Sequence, residues 1–236
     1  MELTAVQTSN VLYYRTKRLW DICVSTLLLV LLSPIFLIVS ILICLDSPGP
    51  VIFSQKRVGC KVRCQKGNVT KEVTTFTFYK FRSMYHRVDD QCHREFIDAY
   101  IHNDQARMDQ LQNGSVTPEN TFKLNHDTRI TRIGSFLRKS SLDEIPQFWN
   151  VLKGDMSLVG PRPPIPYEVE MYAPWHQGRL LATPGITGLW QVSARNSTNF
   201  DEMVQIDIDY IQQQSFWLDL KILINTPFAI FKNKGC

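Results

Sequence analysis

The first pattern along the chain is an unbroken apolar run. Residues 22–45 carry no charged side chain, and as a straight helix they would reach ~36 Å against a bilayer hydrocarbon core of ~30 Å. The run is too long for a secretory signal, and Cys44-Leu45-Asp46-Ser47-Pro48 is a poor small-residue cleavage site. Its middle reads Leu32-Ser33-Pro34-Ile35. Pro34 has no donor for the Val30 carbonyl and clashes with it, which predicts a kink, and the Ser33 hydroxyl can satisfy a carbonyl one turn back. Each half is then only ~16 to 18 Å long, about one leaflet deep.

Beyond the run, Asp46-Ser47-Pro48-Gly49-Pro50 forces a turn. Residues 51–53 read as a short strand and residues 73–81 as its partner, with residues 59–71 a basic, polar hairpin or loop between them. Phe96, Ile97, Tyr100, Ile101, Met108 and Leu111 recur at a helical period and predict a surface helix over 89–111, followed by loop from Asn113 to Asn120. Ile145, Phe148, Trp149 and Leu152 predict a helix of about three turns ending at Gly154. Residues 161–166, rich in proline, form a stiff extended segment. Residues 216–231 are apolar but interrupted by Asn225 and Pro227. They are too short to span a membrane, and both an interface-plane helix and an ordinary packed amphipathic helix fit them. No repeat is visible, and the body reads as α+β, with short strands and many helices.

Charge refines the apolar run. Arg15, Lys17 and Arg18 precede it, and Lys56, Arg57, Lys61, Arg63 and Lys66 follow it. Positive-inside logic places both ends in the cytoplasm, which favours a re-entrant hairpin over a Pro-kinked single span. With 236 residues, 44% of them hydrophobic, the chain can bury one catalytic body, and a net charge of +4 with no basic stripe argues against nucleic acid as a partner. The six cysteines form no CxxC pair and no His cluster, so reduced thiols are expected; Cys60 and Cys64 lack the second ligand pair that a metal clip needs.

Candidate chemistry centres on Ser141-Leu142-Asp143-Glu144-Ile145-Pro146. Pro146 must fall within the first turn of its helix, so Asp143 and Glu144 sit at the positive end of the dipole, where an ionised carboxylate can serve as nucleophile or Mg²⁺ ligand. Taken alone, Ser141-x-x-Glu144 fits a capping box, which is purely structural. Cations come from separate segments: Lys80 and Arg82, Arg138, Arg162 and Arg195. Guanidinium forks match phosphate oxygens, and if these side chains converge on the carboxylates they make a diphosphate site.

Lys17-Arg18-x-x-Asp21, the Ser33-Pro34 break, Lys80-Phe81-Arg82-Ser83-Met84, Ser141-Leu142-Asp143-Glu144-Ile145-Pro146-Gln147, Gly154-Asp155-Met156-Ser157-Leu158-Val159-Gly160-Pro161-Arg162-Pro163 and Pro184-Gly185-Ile186-Thr187-Gly188-Leu189-Trp190-Gln191-Val192 together resemble the bacterial sugar transferase family, the small monotopic polyprenyl-phosphate phosphoglycosyl transferases. The likeness runs over roughly residues 15–232 in several long, ordered motifs. It implies a re-entrant membrane helix bent at Ser33 and Pro34 and interfacial amphipathic helices. These would seat a helix-rich catalytic body on the cytoplasmic face of the bacterial inner membrane. Residues 1–18 would be a basic lead-in, 19–46 the membrane helix and 47–236 the catalytic domain.

The resemblance implies Asp143 as the nucleophile that takes a phosphosugar from a UDP-sugar and passes it to polyprenyl phosphate, with UMP released. Glu144 supports it, Arg138, Arg162, Arg195 and Lys80 hold phosphates or nucleotide, and Mg²⁺ bridges the diphosphate at Asp143. Arg82 joins the candidate contacts. Asp207 and Asp219 match family acidic positions, with structural salt bridging as the plain alternative. The product would start surface glycan assembly and feed downstream glycosyltransferases, and a homo-oligomer is compatible. The chain departs from the family at residues 59–75, at an added segment over 87–124, and at Ala194, where Gly is more usual. The choice of sugar stays open, and a metal-dependent phosphohydrolase or a non-enzymatic scaffold of a glycan assembly complex are the alternatives.

Overall fold

The computed structural model describes residues 11–65, 68–86, 91–111, 129–193 and 198–232. Helix α1 (Val11–Leu31) and helix α2 (Ser33–Asp46) meet at a bend of 60°. The break has the expected chemistry: Ser33 Oγ donates to Val30 O at 2.8 Å, the carbonyl that Pro34 leaves unserved. No single helix among the described residues is long and apolar enough to cross a membrane, whereas the bent pair together has the length and composition.

The part of the expected basic lead-in that the structure describes, residues 11–18, is already helical, because α1 begins at Val11. Its first turns are bolted to the body. Lys17 Nζ lies 2.6 Å from Asp219, Arg18 donates to the Val151 and Leu152 carbonyls at 2.5 and 2.7 Å, and Asp21 accepts the Leu158 N–H at 3.0 Å. Further along, the hairpin exposes Leu27, Val30, Leu31, Leu37, Ile38, Ile41 and Leu45, and α2 buries only Val39 and Ile43. These two pack with Phe81, Leu137 and Ile145.

Strands β1 (Ile52–Gln65) and β2 (Asn68–Phe81) form one long antiparallel hairpin, in register from Ile52 opposite Phe81 to Gln65 opposite Asn68. Of the two readings of residues 59–71, hairpin or loop, the hairpin holds, and most of these residues belong to the ladder, so both strands run well past the short ones expected. Cys60, Val62 and Cys64 face Val73, Lys71 and Val69 on one side, while Lys61, Arg63 and Glu72 occupy the other. The alternation of period two was present, and the basic side chains hid it.

Residues 89–111 are not one surface helix. The described part forms α3 (Gln91–Ile101) and α4 (Gln105–Leu111), broken where Asn103 takes a left-handed φ of 54°. Phe96, Ile97, Ala99, Tyr100, Ile101 and Met108 are buried in the larger core cluster with Trp190, Phe200, Met203 and Val204. The polar residues between them masked this burial. The expected loop from 113 to 120 lies outside the described residues.

The remaining elements are short. They are α5 (Arg132–Ser140), a 3₁₀ turn at Leu142–Glu144, α6 (Gln147–Lys153), β3 (Ser157–Val159), α7 (Pro166–Glu170), a 3₁₀ segment at Pro174–Leu180, β4 (Gly185–Thr187) and α8 (Leu189–Ser193), followed by α9 (Phe200–Gln212) and α10 (Phe216–Lys232). β3 and β4 pair in parallel. The helix expected from Ile145 to Gly154 exists, but it starts later, at Gln147, and ends on Gly154 at φ 83°. α10 runs straight through Pro227, with Asn225 and Thr226 hydrogen-bonding carbonyls one turn back. The fold is thus a mixed helix and strand body with a bent helical pair at its N-terminal side.

Candidate active site

Asp143 and Glu144 occupy a tight connector between two short helices. Thr131 caps α5 through a bond from the Gly134 N–H at 2.9 Å, and the helix ends at Ser140. Ser141 then adopts φ 56°, a conformation rare outside glycine and asparagine, and the 3₁₀ turn follows. In this conformation the Ser141 side chain makes no capping bond. The capping box that Ser141 and Glu144 could have formed is absent, in contrast to Asn199 and Glu202, which make one at the start of α9. A capping box therefore does not explain the acidic pair.

Asp143 is buried, with 6% of its surface exposed, and Lys80 Nζ stands 3.8 Å from its Oδ2. Lys80 comes from the C-terminal end of β2, against which the 3₁₀ turn packs. Burial pushes Lys80 down to about 8; Asp143 opposes that shift, and the positive charges of Arg138, Arg162 and Arg57 add to it. One lysine thus senses the candidate nucleophile and three guanidiniums from three other segments. Of the candidate cations, Lys80 is the one in ion-pair range of Asp143, and Arg138 and Arg162 are near enough for their charge to bear on it.

Two devices fix this geometry. Asn150 of α6, fully buried, accepts the Tyr79 N–H at 3.0 Å and donates to the Thr77 carbonyl at 2.7 Å. It completes the outer edge of β2 as another strand would, and so locks the helix after the dyad to the strand that bears Lys80. On the other side, Arg138 Nε donates to Ser83 Oγ at 2.9 Å, and Gly134 lies so close to Ser83 that a Cβ would overlap its carbonyl oxygen. α5 and the segment just after β2 can approach this closely only with glycine there.

Other sequence candidates lie apart from the dyad. Arg82 is buried and donates to the Ile43 and Ser47 carbonyls at 3.2 and 2.5 Å, which closes the C-terminal end of α2. Asp207 pairs with Arg179 at 2.6 Å, both buried. Asp219 binds Lys17, Tyr13 and Tyr210 at 2.6, 2.9 and 2.7 Å. Asp207 and Asp219 have the salt-bridging, structural placement, and with Arg82 they tie α1, α2 and α9 to the body. Arg195 lies outside the described residues. Arg57, first read only as part of a basic flank, is buried among the site cations, and Glu168 feels the positive charge of Arg57, Arg162 and Arg179 while burial raises its carboxyl. Nothing in the local pattern around Arg57 marked it as buried.

Over residues 12–233 the chain matches the bacterial sugar transferase family, and it belongs to that family. It is 46% identical over 188 residues to the galactosyl transferase CpsE of Streptococcus agalactiae, covering 79% of this chain and 36% of that protein. It is 38% identical over 219 residues to the undecaprenyl-phosphate galactose phosphotransferase of Salmonella typhimurium, covering 93% and 41%. It is 34% identical over 220 residues to the exopolysaccharide production protein ExoY of Sinorhizobium fredii, covering 93% and 87%. The chain thus spans about two fifths of the length of the first two relatives and most of the third.

Proposed function

We propose that this chain moves a sugar 1-phosphate from a UDP-sugar to polyprenyl (undecaprenyl) phosphate, giving a polyprenyl diphosphate sugar and UMP, through a phosphosugar ester on Asp143. The observation that carries the reading is the placement of Asp143: a buried carboxylate in a turn whose capping role is lost, 3.8 Å from a lysine that also feels Arg57, Arg138 and Arg162. A carboxylate surrounded by cations suits attack on an anionic phosphorus, because the positive charges offset the repulsion between nucleophile and diphosphate. The Salmonella relative, an undecaprenyl-phosphate galactose phosphotransferase, agrees with this chemistry.

In the first half-reaction a carboxylate oxygen of Asp143 bonds to the β-phosphorus, the bond from that phosphorus to the bridging oxygen breaks, and UMP leaves with the electron pair. In the second, an oxygen of polyprenyl phosphate attacks the same phosphorus and the Asp143 carboxylate is released. Both steps occur at phosphorus, so the anomeric bond of the sugar stays intact. Arg138, Arg162 and Lys80 hold the phosphates, and Glu144 assists binding or proton handling. Mg²⁺ suits this donor set, because it takes one or two carboxylates together with substrate phosphates rather than an all-protein cage. Among the described residues no three His, Cys, Asp or Glu gather, and Asp143, with Glu144 beside it in the chain, would hold the ion. When bound, it supplies charge neutralisation on the diphosphate oxygens.

A seat on the cytoplasmic face of the inner membrane completes the reading. The bent helical pair bears an apolar exposed surface, and Trp20, Trp217, Ile224 and Phe228 extend exposed apolar area onto α10. Contiguous apolar surface of this kind marks a lipid or protein contact. A water-soluble donor and a lipid acceptor can then meet in turn at one plane.

The test is UMP release in detergent or nanodiscs with and without polyprenyl phosphate. The native chain should give lipid-dependent turnover with one or more UDP-sugars, and Asp143→Asn should lower it by about 10³-fold or more. Transfer of the phosphosugar to water regardless of lipid would point to a hydrolase, and full turnover by the Asn variant would end the reading.

A further inference from the structure

The loop that presents Arg162 is held by its carbonyls, one after another. Pro161 O accepts from the Gly185 N–H at 2.9 Å, Arg162 O from Arg179 Nη2 at 3.5 Å, Pro163 O from Arg57 Nη1 at 3.0 Å and Pro164 O from the Val58 N–H at 2.9 Å. Three of these residues are prolines, which have no N–H to offer, so carbonyls are nearly the only backbone handles available. The handles are taken by three parts of the molecule: β4 through Gly185, the 3₁₀ segment through Arg179, and β1 through the neighbours Arg57 and Val58.

The four holders are not equivalent. Two are backbone amides, and Arg179 is a guanidinium balanced by Asp207 at 2.6 Å. Arg57 has no such contact, and Glu168 bears on it only from beyond ion-pair distance. It is 7% exposed, its Nε is buried without a hydrogen-bond partner, and no carboxylate among the described residues lies within ion-pair distance of it. Its guanidinium rests 5.4 Å from the centroid of the Phe78 ring. A neutral amide side chain would hold one carbonyl without burying an unpaired charge, which costs the fold free energy. Stability alone therefore does not account for an arginine here.

Position accounts for it. In the hairpin register Arg57 stands opposite Phe76 and shares a face with Phe78 and Lys80, so it lies on the side of the sheet that carries the lysine next to Asp143. The ionisable groups that bear on it are Glu168, Tyr167 and Tyr172, together with Arg162 itself. We infer that Arg57 is a positioning residue of the donor site, fixing the Pro163 carbonyl so that Arg162 meets the diphosphate, with its own charge balanced when that anion binds. The inference rests on the transferase reading above.

The experiment is a double-substitution cycle in the full chain with native membrane lipids or detergent, reading kcat/KM for the UDP-sugar and KM for polyprenyl phosphate separately. Arg57→Gln should lower the donor value about tenfold or more and leave the acceptor KM within about twofold. Arg57→Lys, which keeps the charge, should recover part of the loss. In an Arg162→Met background, Arg57→Gln should cost less than about threefold further, because the residue it positions is already gone. A Gln variant within about twofold of the native donor value, or effects that multiply fully in the double variant, would overturn the inference. If Arg57→Gln does not fold, Arg57→Lys alone and with Arg162→Met carries the same cycle. Absence of UMP release by the native chain would instead sink the transferase reading.

Discussion

At the scale of single residues, the site depends on charges brought into a partly dry space. Lys80 is the clearest case. Held down to about 8 by burial and by the neighbouring guanidiniums, it loses its proton at lower pH in the folded protein than in the unfolded chain. Below about pH 8 it is a cation beside Asp143; above that it is neutral, and the donor's diphosphate meets one positive charge fewer. The kcat/KM for the UDP-sugar should therefore fall as pH rises through about 8, and Lys80→Arg, charged throughout, should keep the profile flat to higher pH. A native profile rising through that range would contradict the placement. Asn150 makes a second residue-scale case. Asn150→Ala leaves a buried N–H and a buried carbonyl of β2 unpaired and should cost about 2 to 4 kcal/mol in a denaturant titration, with activity falling as α6 loosens from the strand.

At the scale of elements, contacts too close for a side chain decide how α5 sits on the segment that follows β2. Gly134→Ala would push a methyl group into the Ser83 carbonyl, so α5 must shift, and with it Arg138. A loss of about 1 to 3 kcal/mol is expected, with a drop in donor kcat/KM larger than that of a surface Ala substitution on the same helix; an unchanged melting temperature would refute this packing. The elements also show what a single chain can reveal. The 60° break at Ser33 and Pro34, down to the Ser33 bond with the Val30 carbonyl, was readable because proline chemistry is local. The hairpin over 59–71 was readable only as an alternative to a loop, because its exposed Lys61 and Arg63 outweighed the inward alternation of Cys60, Val62 and Cys64. Asp143 and Glu144 were readable only through their motif, since their non-capping role depends on the left-handed Ser141. Asn150 and Arg57 escaped because their partners lie far away in sequence.

At the scale of the whole molecule, the bent helical pair and the segments around Asp143 are mechanically one body. Lys17, Arg18 and Asp21, within two turns of α1, reach α10, the end of α6 and β3. The segment that would enter the bilayer is thus clamped to the helix that follows Asp143, which sets the height of the site above the apolar hairpin. Glutamates at Leu37 and Ile41, exposed on α2, should shift the protein from the floating to the soluble fraction in a vesicle flotation assay while leaving the soluble body folded. Unchanged flotation would mean that this face does not meet lipid.

The most direct measurement is the intact mass of the purified chain after incubation with a panel of UDP-sugars and no lipid acceptor. Native protein should gain the mass of one phosphosugar, which also names the sugar, and Asp143→Asn should gain nothing. An adduct of the same size on the Asn variant, or lipid-dependent turnover by native protein that never shows an adduct under rapid quenching, would contradict a covalent step at Asp143.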